Sequence, residues 1–289
     1  MLGAGGFIGR ALSARLAARN VLARTVTRAN SGTLDAQTDW PALLDGARIV
    51  VHLASAAAAP RDRDWTAKEV ATAQALGRAA RQCGIARLVL VSSIKAMAEA
   101  SGAEPLRADA APAPGDRYGR TKLAIEEALA DVPGLAILRP PLVYGPEVKG
   151  SFRLLLAAAA RSLPLPLASI RNRRAFVFID NLLDVIEALL AAEAPRGVYM
   201  VRDDDEVSTP ELLRRMARHL ASRPRLLPCP PGLLRAALGL AGRGDVAAAL
   251  LDSLAIDDSA TRTRLGWKPR VSLDDGLEAT CRWFRETAP

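Results

Sequence analysis

Three residues in the middle of the chain have the types and the spacing needed to move a proton. Tyr118 and Lys122 are four positions apart and so share one face of a helix, and Ser93 follows a short apolar run. A tyrosine can act as an acid or base on an oxygen if its pKa falls from about 10 toward neutrality. A neighbouring ammonium group favours the phenolate, and a serine hydroxyl can orient a carbonyl group. These residues therefore predict hydride transfer coupled to proton transfer at an alcohol or ketone.

A glycine-rich loop near the first residue predicts a cofactor that could carry this hydride. Gly3, Gly6 and Gly9 fit the pattern G-x-x-G-x-x-G, and an amphipathic run follows, beginning with Phe7 and Ile8. The first glycine allows a tight strand-to-helix turn, the second allows the backbone to approach a pyrophosphate, and the third allows the helix to pack closely on a sheet. The free N–H groups at the helix N-terminus favour phosphate. We therefore predict a dinucleotide cofactor.

The strand that should precede this loop is short in the sequence. Only Met1 and Leu2 come before Gly3, although the motif requires a preceding strand. Either the domain lacks its central strand or the sequence starts inside the true reading frame. We favour the second reading, because a missing buried strand would leave two neighbours with unpaired backbone groups. The first strand is accordingly predicted to be truncated.

The remaining pattern predicts an α/β fold with a Rossmann-type doubly wound parallel sheet. Strands predicted at 21–27, 48–53, 87–91 and 135–138 alternate with helices up to residue 146. Beyond it, helical patterns dominate. We predict an NAD(P)-binding domain over 1–146, with 175–203 returning to it, and a smaller, mostly helical substrate-binding lobe over 147–289.

Residues at two predicted strand ends bear on the cofactor. Arg28 closes the second predicted strand, where an arginine accommodates the 2′-phosphate of NADP and an acid would bind the 2′-hydroxyl of NAD. Leu53 ends the next predicted strand and Ala54 follows it, where small residues permit a ligand to approach closely. NADP(H) is favoured and NAD(H) stays open, because an arginine at a strand end can also be merely solvated.

Composition and charge limit the other classes of function. The chain has 289 residues, a net charge of +8 and few aromatic residues, and its arginines are scattered, which argues against nucleic acid. Three widely spaced cysteines and two histidines predict no disulfide framework and no metal site. Arginines interrupt the longest apolar runs, so no membrane partner is expected, and the glycines near the start do not fit a signal peptide. We expect a cytoplasmic protein.

Taken in order, the motifs resemble the extended short-chain dehydrogenase/reductase superfamily, in its NAD(P)-dependent nucleotide-sugar epimerase/dehydratase branch. The resemblance covers essentially the whole chain. It rests on Gly3-x-x-Gly6-x-x-Gly9, His52-Leu53-Ala54, Val91-Ser92-Ser93, Tyr118-x-x-x-Lys122, Arg139-Pro140-x-x-x-Tyr144-Gly145-Pro146, Arg174-x-Phe176-Val177-x-Ile179-Asp180-Asn181 and Leu265-Gly266-Trp267-x-Pro269.

The resemblance implies roles for several residues. Ser93, rather than its neighbour, would be catalytic, with Tyr118 and Lys122. The tyrosine and lysine would also hold the cofactor, together with Pro141. In the substrate lobe, Arg174 matches an arginine that contacts the substrate diphosphate, and Lys149 or Arg153 would assist. Two departures are a glutamate, Glu69, where relatives carry asparagine, and the lack of an arginine near 247–254.

The same resemblance limits the reactions that the chain is expected to catalyse. Dehydratases of this branch carry an Asp-Glu pair after the catalytic Ser or Thr, whereas this chain has Ile94-Lys95. The stretches at 92–95 and 169–174 resemble reductases of UDP-4-keto-6-deoxy-HexNAc, so the chain is predicted to reduce such a UDP-sugar at C4. One alternative function is that of a UDP-hexose 4-epimerase with retained cofactor. A second, non-enzymatic alternative is a catalytically silent NADP-binding sensor or scaffold. The Ala-rich faces at 66–80 and 123–130 would permit a homodimer.

Overall fold

A computed structural model describes residues 1–53, 62–191 and 193–287 of the chain. The strands in these ranges are β1 (Ile49–His52), β2 (Arg87–Val91), β3 (Leu135–Arg139), β4 (Leu142–Tyr144), β5 (Pro164–Leu165), β6 (Phe176–Phe178), β7 (Gly197–Met200) and β8 (Arg225–Leu226). The α-helices are α1 (Phe7–Ala18), α2 (Arg28–Ser31), α3 (Trp40–Leu44), α4 (Trp65–Gln82), α5 (Arg117–Ala128), α6 (Gly150–Ala160), α7 (Ile179–Leu190), α8 (Thr209–His219), α9 (Pro231–Leu240), α10 (Gly244–Leu251), α11 (Ser259–Leu265) and α12 (Leu273–Thr287).

The main sheet is parallel and has the strand order β1-β2-β3-β7. All five residues of β2 and of β3 are buried, as expected of apolar strands covered on both faces. Leu76 of α4 and Leu129, just after α5, pack on one face. Leu12 of α1 and Leu182 of α7 lie in the core on the other. The predicted doubly wound α/β fold is confirmed.

The place of the first strand in this sheet is held by one residue. Leu2 forms parallel bridges to Val26 on one side and to His52 of β1 on the other. The strand predicted at 21–27 is wrong except at Val26, because in the described ranges this segment forms a single bridge, to Leu2, with Met1 hydrogen-bonded beside it. Val21 and Leu22 are exposed instead. The edge of the sheet beyond β1 is therefore built by two isolated bridges.

The chain returns to the main sheet after its first 146 residues. β6 pairs with β4, α7 follows directly, and β7 then pairs with β3. The rest of the C-terminal part is mostly helical, with β5 and β8 forming a separate two-stranded sheet. The boundary between two functional domains stays a prediction. In the described ranges, no helix has the length and apolarity needed to cross a bilayer.

Candidate active site

Two elements bring Ser93 next to the start of α5. Ser93 follows β2 and precedes a 3₁₀ helix, Ile94–Ala96. Asp116 caps α5 by accepting a hydrogen bond from the backbone N–H of Gly119 at 2.6 Å, and its carboxylate pairs with Lys95 Nζ at 2.7 Å. The contact also needs a glycine, because a Cβ at Gly119 would lie 2.2 Å from the carbonyl oxygen of Lys95. This close approach docks the helix that carries Tyr118 against the strand end that carries Ser93.

The three predicted catalytic residues meet at this point. The Ser93 hydroxyl lies close enough to the Tyr118 phenol to lower its pKa. Lys122 Nζ lies 5.6 Å from the centroid of the Tyr118 ring, and the lysine side chain is buried. Trp65, at the start of α4, stacks on Tyr118 with 6.5 Å between ring centroids. The serine and the lysine thus act on one phenol, whose ring orientation Trp65 restricts.

Burial sets the protonation of this group. It raises the pKa of the Tyr118 phenol, and the neighbouring Ser93 hydroxyl acts on this pKa in the opposite direction. Burial also lowers the pKa of the Lys122 ammonium to about 8, against the nearby carboxylates of Glu69 and Glu126. The phenol is therefore in its acid form at neutral pH and can donate a proton, while the lysine is mostly charged.

His52 lies close to this group without a proton-transfer role. Burial, together with the charge of Lys122, lowers the pKa of His52 to about 4, so its imidazole is neutral at physiological pH. Its Nδ1 atom is buried without a hydrogen-bond partner. A neutral ring at the end of β1 fits the expected packing role.

A buried charge cluster lies next to the predicted catalytic residues. Glu126, one turn after Lys122 on α5, accepts a hydrogen bond from the Ser92 hydroxyl at 2.5 Å and pairs with Arg139 at 2.5 Å. Both charged side chains are almost fully buried, at 3% and 4% exposure. The cluster joins α5 to the carboxyl ends of β2 and β3. It was missed from the sequence because the three residues are far apart in the chain.

The glycine loop has the geometry of a phosphate cradle. Gly3 has φ +84°, a conformation that favours glycine. A Cβ at Gly9 would lie 2.4 Å from the carbonyl oxygen of Gly3, so only glycine permits α1 to pack this closely. Gly6 caps α1 in an extended conformation, and half-buried Phe7 and Ile8 begin a helix without acidic residues in its first turn. These residues fit a dinucleotide pyrophosphate.

The other residues predicted to bind the cofactor differ in how closely they lie to this loop. Leu53 donates its N–H to the carbonyl oxygen of Leu2 at 2.9 Å, directly beside the loop. Arg28 is exposed at the first position of α2, one residue after Thr27, whose side chain would lie 3.8 Å from a Cβ at Gly5. Pro141 is buried between β3 and β4. Ala54 lies outside the described residues.

The predicted substrate ligands are not brought together by direct contact. Arg174 is half-buried, forms backbone bridges to Val207 and Leu254, and donates a hydrogen bond to the carbonyl oxygen of Asp252 at 3.2 Å. Burial lowers the pKa of its guanidinium. Lys149 is exposed just before α6, and its side chain forms no hydrogen bond or ion pair within the described part of the chain.

The structure adds a second arginine beside Arg174. Arg235 of α9 forms an ion pair with the carboxylate of Asp252, the same residue whose carbonyl oxygen binds Arg174. The sequence has no arginine at 247–254, and Arg235 contacts this stretch from the preceding helix. Only the folded chain shows that both arginines contact Asp252.

The loop at 101–117, which the sequence suggests is flexible or covers the site, is held in place. Ser101 and Leu106 donate backbone hydrogen bonds to Ser253 and Ala255, at 2.8 and 2.9 Å. Leu106 also bridges Ile256. The loop is thus fixed to the segment that follows α10.

Comparison with known proteins shows the family of the chain. Residues 1–201 match the NAD dependent epimerase/dehydratase family. The chain is 33% identical to a UDP-glucose 4-epimerase of Vibrio cholerae over 267 residues, which covers 88% of this chain and 81% of the relative. The chain therefore belongs to the NAD dependent epimerase/dehydratase family and is an enzyme.

Solved structures show the same fold at lower identity. The Bordetella bronchiseptica enzyme WbmG, solved in complex with NAD and UDP, is 21% identical with a TM-score of 0.77, over 99% of this chain and 94% of that one. A UDP-N-acetylglucosamine 4-epimerase from Bacillus cereus is 18% identical with a TM-score of 0.77, over 98% of this chain and 97% of that one. Both similarities cover nearly the full length of each chain.

Proposed function

We propose that this enzyme transfers a hydride between a nicotinamide cofactor and C4 of a UDP-activated sugar. The observation that carries the proposal is the assembly of Ser93, Tyr118 and Lys122 at the carboxyl ends of the parallel strands, on the edge where the glycine loop begins. The relatives named for UDP-sugars and the complex with NAD and UDP support the substrate class.

Each residue has a defined part in the proton transfer. In the reduction of a 4-keto group, a bound nicotinamide would supply the hydride to C4, and the phenol of Tyr118 would give its proton to the oxygen on C4. Ser93 donates a hydrogen bond to the same oxygen. Lys122 stabilises the resulting phenolate and binds cofactor ribose hydroxyls. In the oxidation direction, Tyr118 takes that proton back.

Elimination of water does not fit these residues. A 4,6-dehydratase needs an additional acid and base after the catalytic serine. Here Ile94 is buried, and the ammonium of Lys95 is paired with Asp116. The chemistry that remains is reduction, oxidation or epimerisation at C4.

Net reduction of a UDP-4-keto-6-deoxy-HexNAc is the specific activity we propose, with NADPH as the donor. Its support is Arg28, which is exposed beside the glycine loop and whose side chain forms no hydrogen bond or ion pair in the described ranges. Such a guanidinium is available to bind a 2′-phosphate. Arg174 and Arg235 would bind the sugar diphosphate, and Lys149 would add a mobile charge nearby.

Epimerisation of a UDP-hexose at C4 is the second candidate. It is favoured by the Vibrio cholerae relative, which matches over 88% of this chain. The same three catalytic residues serve it, with the hydride returned to the opposite face of the sugar. An epimerase would keep its NAD(H) bound between turnovers, whereas the reductase would consume one NADPH in each turnover.

One pair of assays separates the candidates. Purified enzyme is incubated with UDP-4-keto-6-deoxy-GlcNAc and either NADPH or NADH, and cofactor absorbance is followed, with Tyr118→Phe as the control. Stoichiometric loss of NADPH that vanishes in the variant supports the reductase. Interconversion of UDP-glucose and UDP-galactose, or of their N-acetylated forms, without net loss of cofactor supports the epimerase. Inactivity in both assays despite tight cofactor binding contradicts both.

A further inference from the structure

Two segments of the C-terminal part carry a strong excess of positive charge. Residues 148–179 and 212–244, here called the two acid-free segments, contain thirteen of the 39 Lys and Arg residues and none of the 31 Asp and Glu residues. The rest of the chain is therefore net acidic, although the protein as a whole is basic. A diphosphate accounts for only a few of these charges.

The two acid-free segments form one region of the folded protein. Pro164 of β5 pairs in register with Arg225 of β8, and Leu227 donates its N–H to Leu165 at 2.8 Å. Helix α6, from the first segment, packs against α8, most of which belongs to the second. The two segments are thus packed against each other. Five of their arginines form ion pairs with carboxylates outside the segments, namely Arg173, Arg214, Arg215, Arg218 and Arg235.

The same region exposes large apolar side chains. Five of the eight exposed large hydrophobic residues of the described ranges lie in the two acid-free segments, namely Leu154, Leu163, Leu227, Leu233 and Leu240. Leu240 and Leu154 are 92% and 71% exposed. Helix α9 has no buried residue: Leu234 and Leu238 face the core, while Leu233 and Leu240 lie two turns apart in an outward stripe. Exposed apolar surface of this kind is typical of an interaction site.

Several of the arginines around this stripe are not neutralised by the protein. Arg161, Arg223, Arg225 and Arg243 are exposed, and their side chains form no ion pair with any described carboxylate. Leucines that can enter an apolar layer are therefore combined with guanidinium groups that can contact phosphate above it. This combination is complementary to the headgroup and acyl boundary of an anionic bilayer.

We propose that the surface formed by the two acid-free segments binds reversibly to anionic phospholipid bilayers, with α9 lying on the membrane. A second copy of this chain is a poorer occupant, because a two-fold contact would place the arginine-rich face against itself. The proposal concerns the bilayer surface, so it revises the expectation of no membrane partner without requiring a spanning helix. It is independent of which sugar the active site takes.

The test is flotation of the full chain with lipid vesicles. Wild-type protein is expected to float with vesicles containing phosphatidylglycerol and to stay unbound with pure phosphatidylcholine. The double variant Leu233→Gln/Leu240→Gln should bind about tenfold more weakly, because it removes two leucine side chains that would be buried in the apolar layer of the bilayer. The variant Arg225→Gln/Arg243→Gln should weaken binding by a similar factor at low salt and by less at high salt, since screening reduces the wild-type charge contribution.

The matched control is Leu22→Gln. Leu22 is fully exposed but lies outside the two acid-free segments, so its substitution should leave vesicle binding unchanged. Thermal unfolding midpoints confirm that all variants are folded. The proposal is overturned if wild-type protein ignores anionic vesicles, if it binds both vesicle types equally, or if the α9 variant binds as well as wild type. It is equally overturned if sedimentation shows a wild-type dimer that the α9 variant abolishes, because a second copy would then cover this surface.

Discussion

Lys122 Nζ lies 5.6 Å from the centroid of the Tyr118 ring, and burial lowers the pKa of this ammonium to about 8. The same burial raises the pKa of the phenol. Burial therefore favours the neutral form of both groups: the lysine loses its charge more easily, and the tyrosine becomes charged less easily. A positive charge brought by an oxidised nicotinamide would favour the phenolate, so the protonation of Tyr118 depends on what is bound.

The first prediction concerns the pH dependence of reduction. Because the Lys122 pKa is lowered from 10.5 to about 8, the ammonium is present below that pH and is lost above it. The rate of ketone reduction should therefore fall on the alkaline side with an apparent pKa near 8. Replacing the lysine, in Lys122→Met, should reduce kcat by about a hundredfold or more and abolish this limb of the profile. A wild-type rate that stays constant well above the lysine pKa would contradict the assignment.

The second prediction separates two glycines of the cofactor loop. A Cβ at Gly9 would lie 2.4 Å from the Gly3 carbonyl oxygen, whereas a Cβ at Gly6 has 3.4 Å to the same atom. Gly9→Ala should therefore destabilise the fold, by about 1–3 kcal/mol or more. Gly6→Ala should keep the unfolding midpoint of the wild type but lose cofactor affinity, because the added methyl group occupies the approach of the pyrophosphate. Cofactor titration and thermal melts of both variants decide the matter, and equal cofactor affinity in Gly6→Ala would rule out the cradle.

These results show which parts of the molecule follow from local sequence. Strands β2 and β3 were predicted to within one residue because each is a continuous apolar run. The glycine spacing and the four-residue interval from Tyr118 to Lys122 are also local patterns, so they could be recognised directly. The segment 21–27 has the same strand-like composition, yet in the described ranges its only strand pairing is with the short stretch at the start of the chain, through one bridge to Leu2.

What the sequence could not predict depends on contacts between distant residues. Arg174 and Arg235 both contact Asp252, from 78 and 17 residues away in the chain. The stacking of Trp65 on Tyr118 joins two helices whose relative placement is set by the sheet. Long-range geometry of this kind leaves no spacing pattern to recognise.

The third prediction concerns the buried charge cluster. Glu126→Gln removes the charged partner of Arg139 at a site where both side chains are at most 4% exposed. The free energy of unfolding should fall by about 3–5 kcal/mol, because a buried guanidinium is left without its counter-charge. The matched control is Glu278→Gln, whose partner Arg282 is exposed, and it should cost less than about 0.5 kcal/mol. Similar denaturation curves for the two variants would show that the buried pair contributes no more than a surface pair.

The fourth prediction tests the diphosphate ligand. Arg174→Ala should raise the KM for the UDP-sugar by about ten- to a hundredfold, since it removes a charge-assisted hydrogen bond to phosphate. The control is Arg171→Ala, three residues earlier and fully on the surface, which should change KM little. If both variants raise KM to the same extent, the positive field of the region, and not a specific contact at Arg174, binds the substrate.

The fifth prediction decides the cofactor. Arg28 is exposed beside the glycine loop, whereas Arg48 is exposed at the opposite, amino end of β1. If the Arg28 guanidinium binds the 2′-phosphate, Arg28→Asp should weaken NADPH binding by about ten- to a hundredfold and improve NADH binding, because a carboxylate accepts a hydrogen bond from the 2′-hydroxyl. Arg48→Asp changes the net charge equally and should leave both affinities unaltered. Fluorescence titration of the reduced cofactors measures both dissociation constants directly. If the wild-type enzyme already prefers NADH, Arg28 is a solvated side chain without a role in cofactor binding, and the case for an epimerase is stronger.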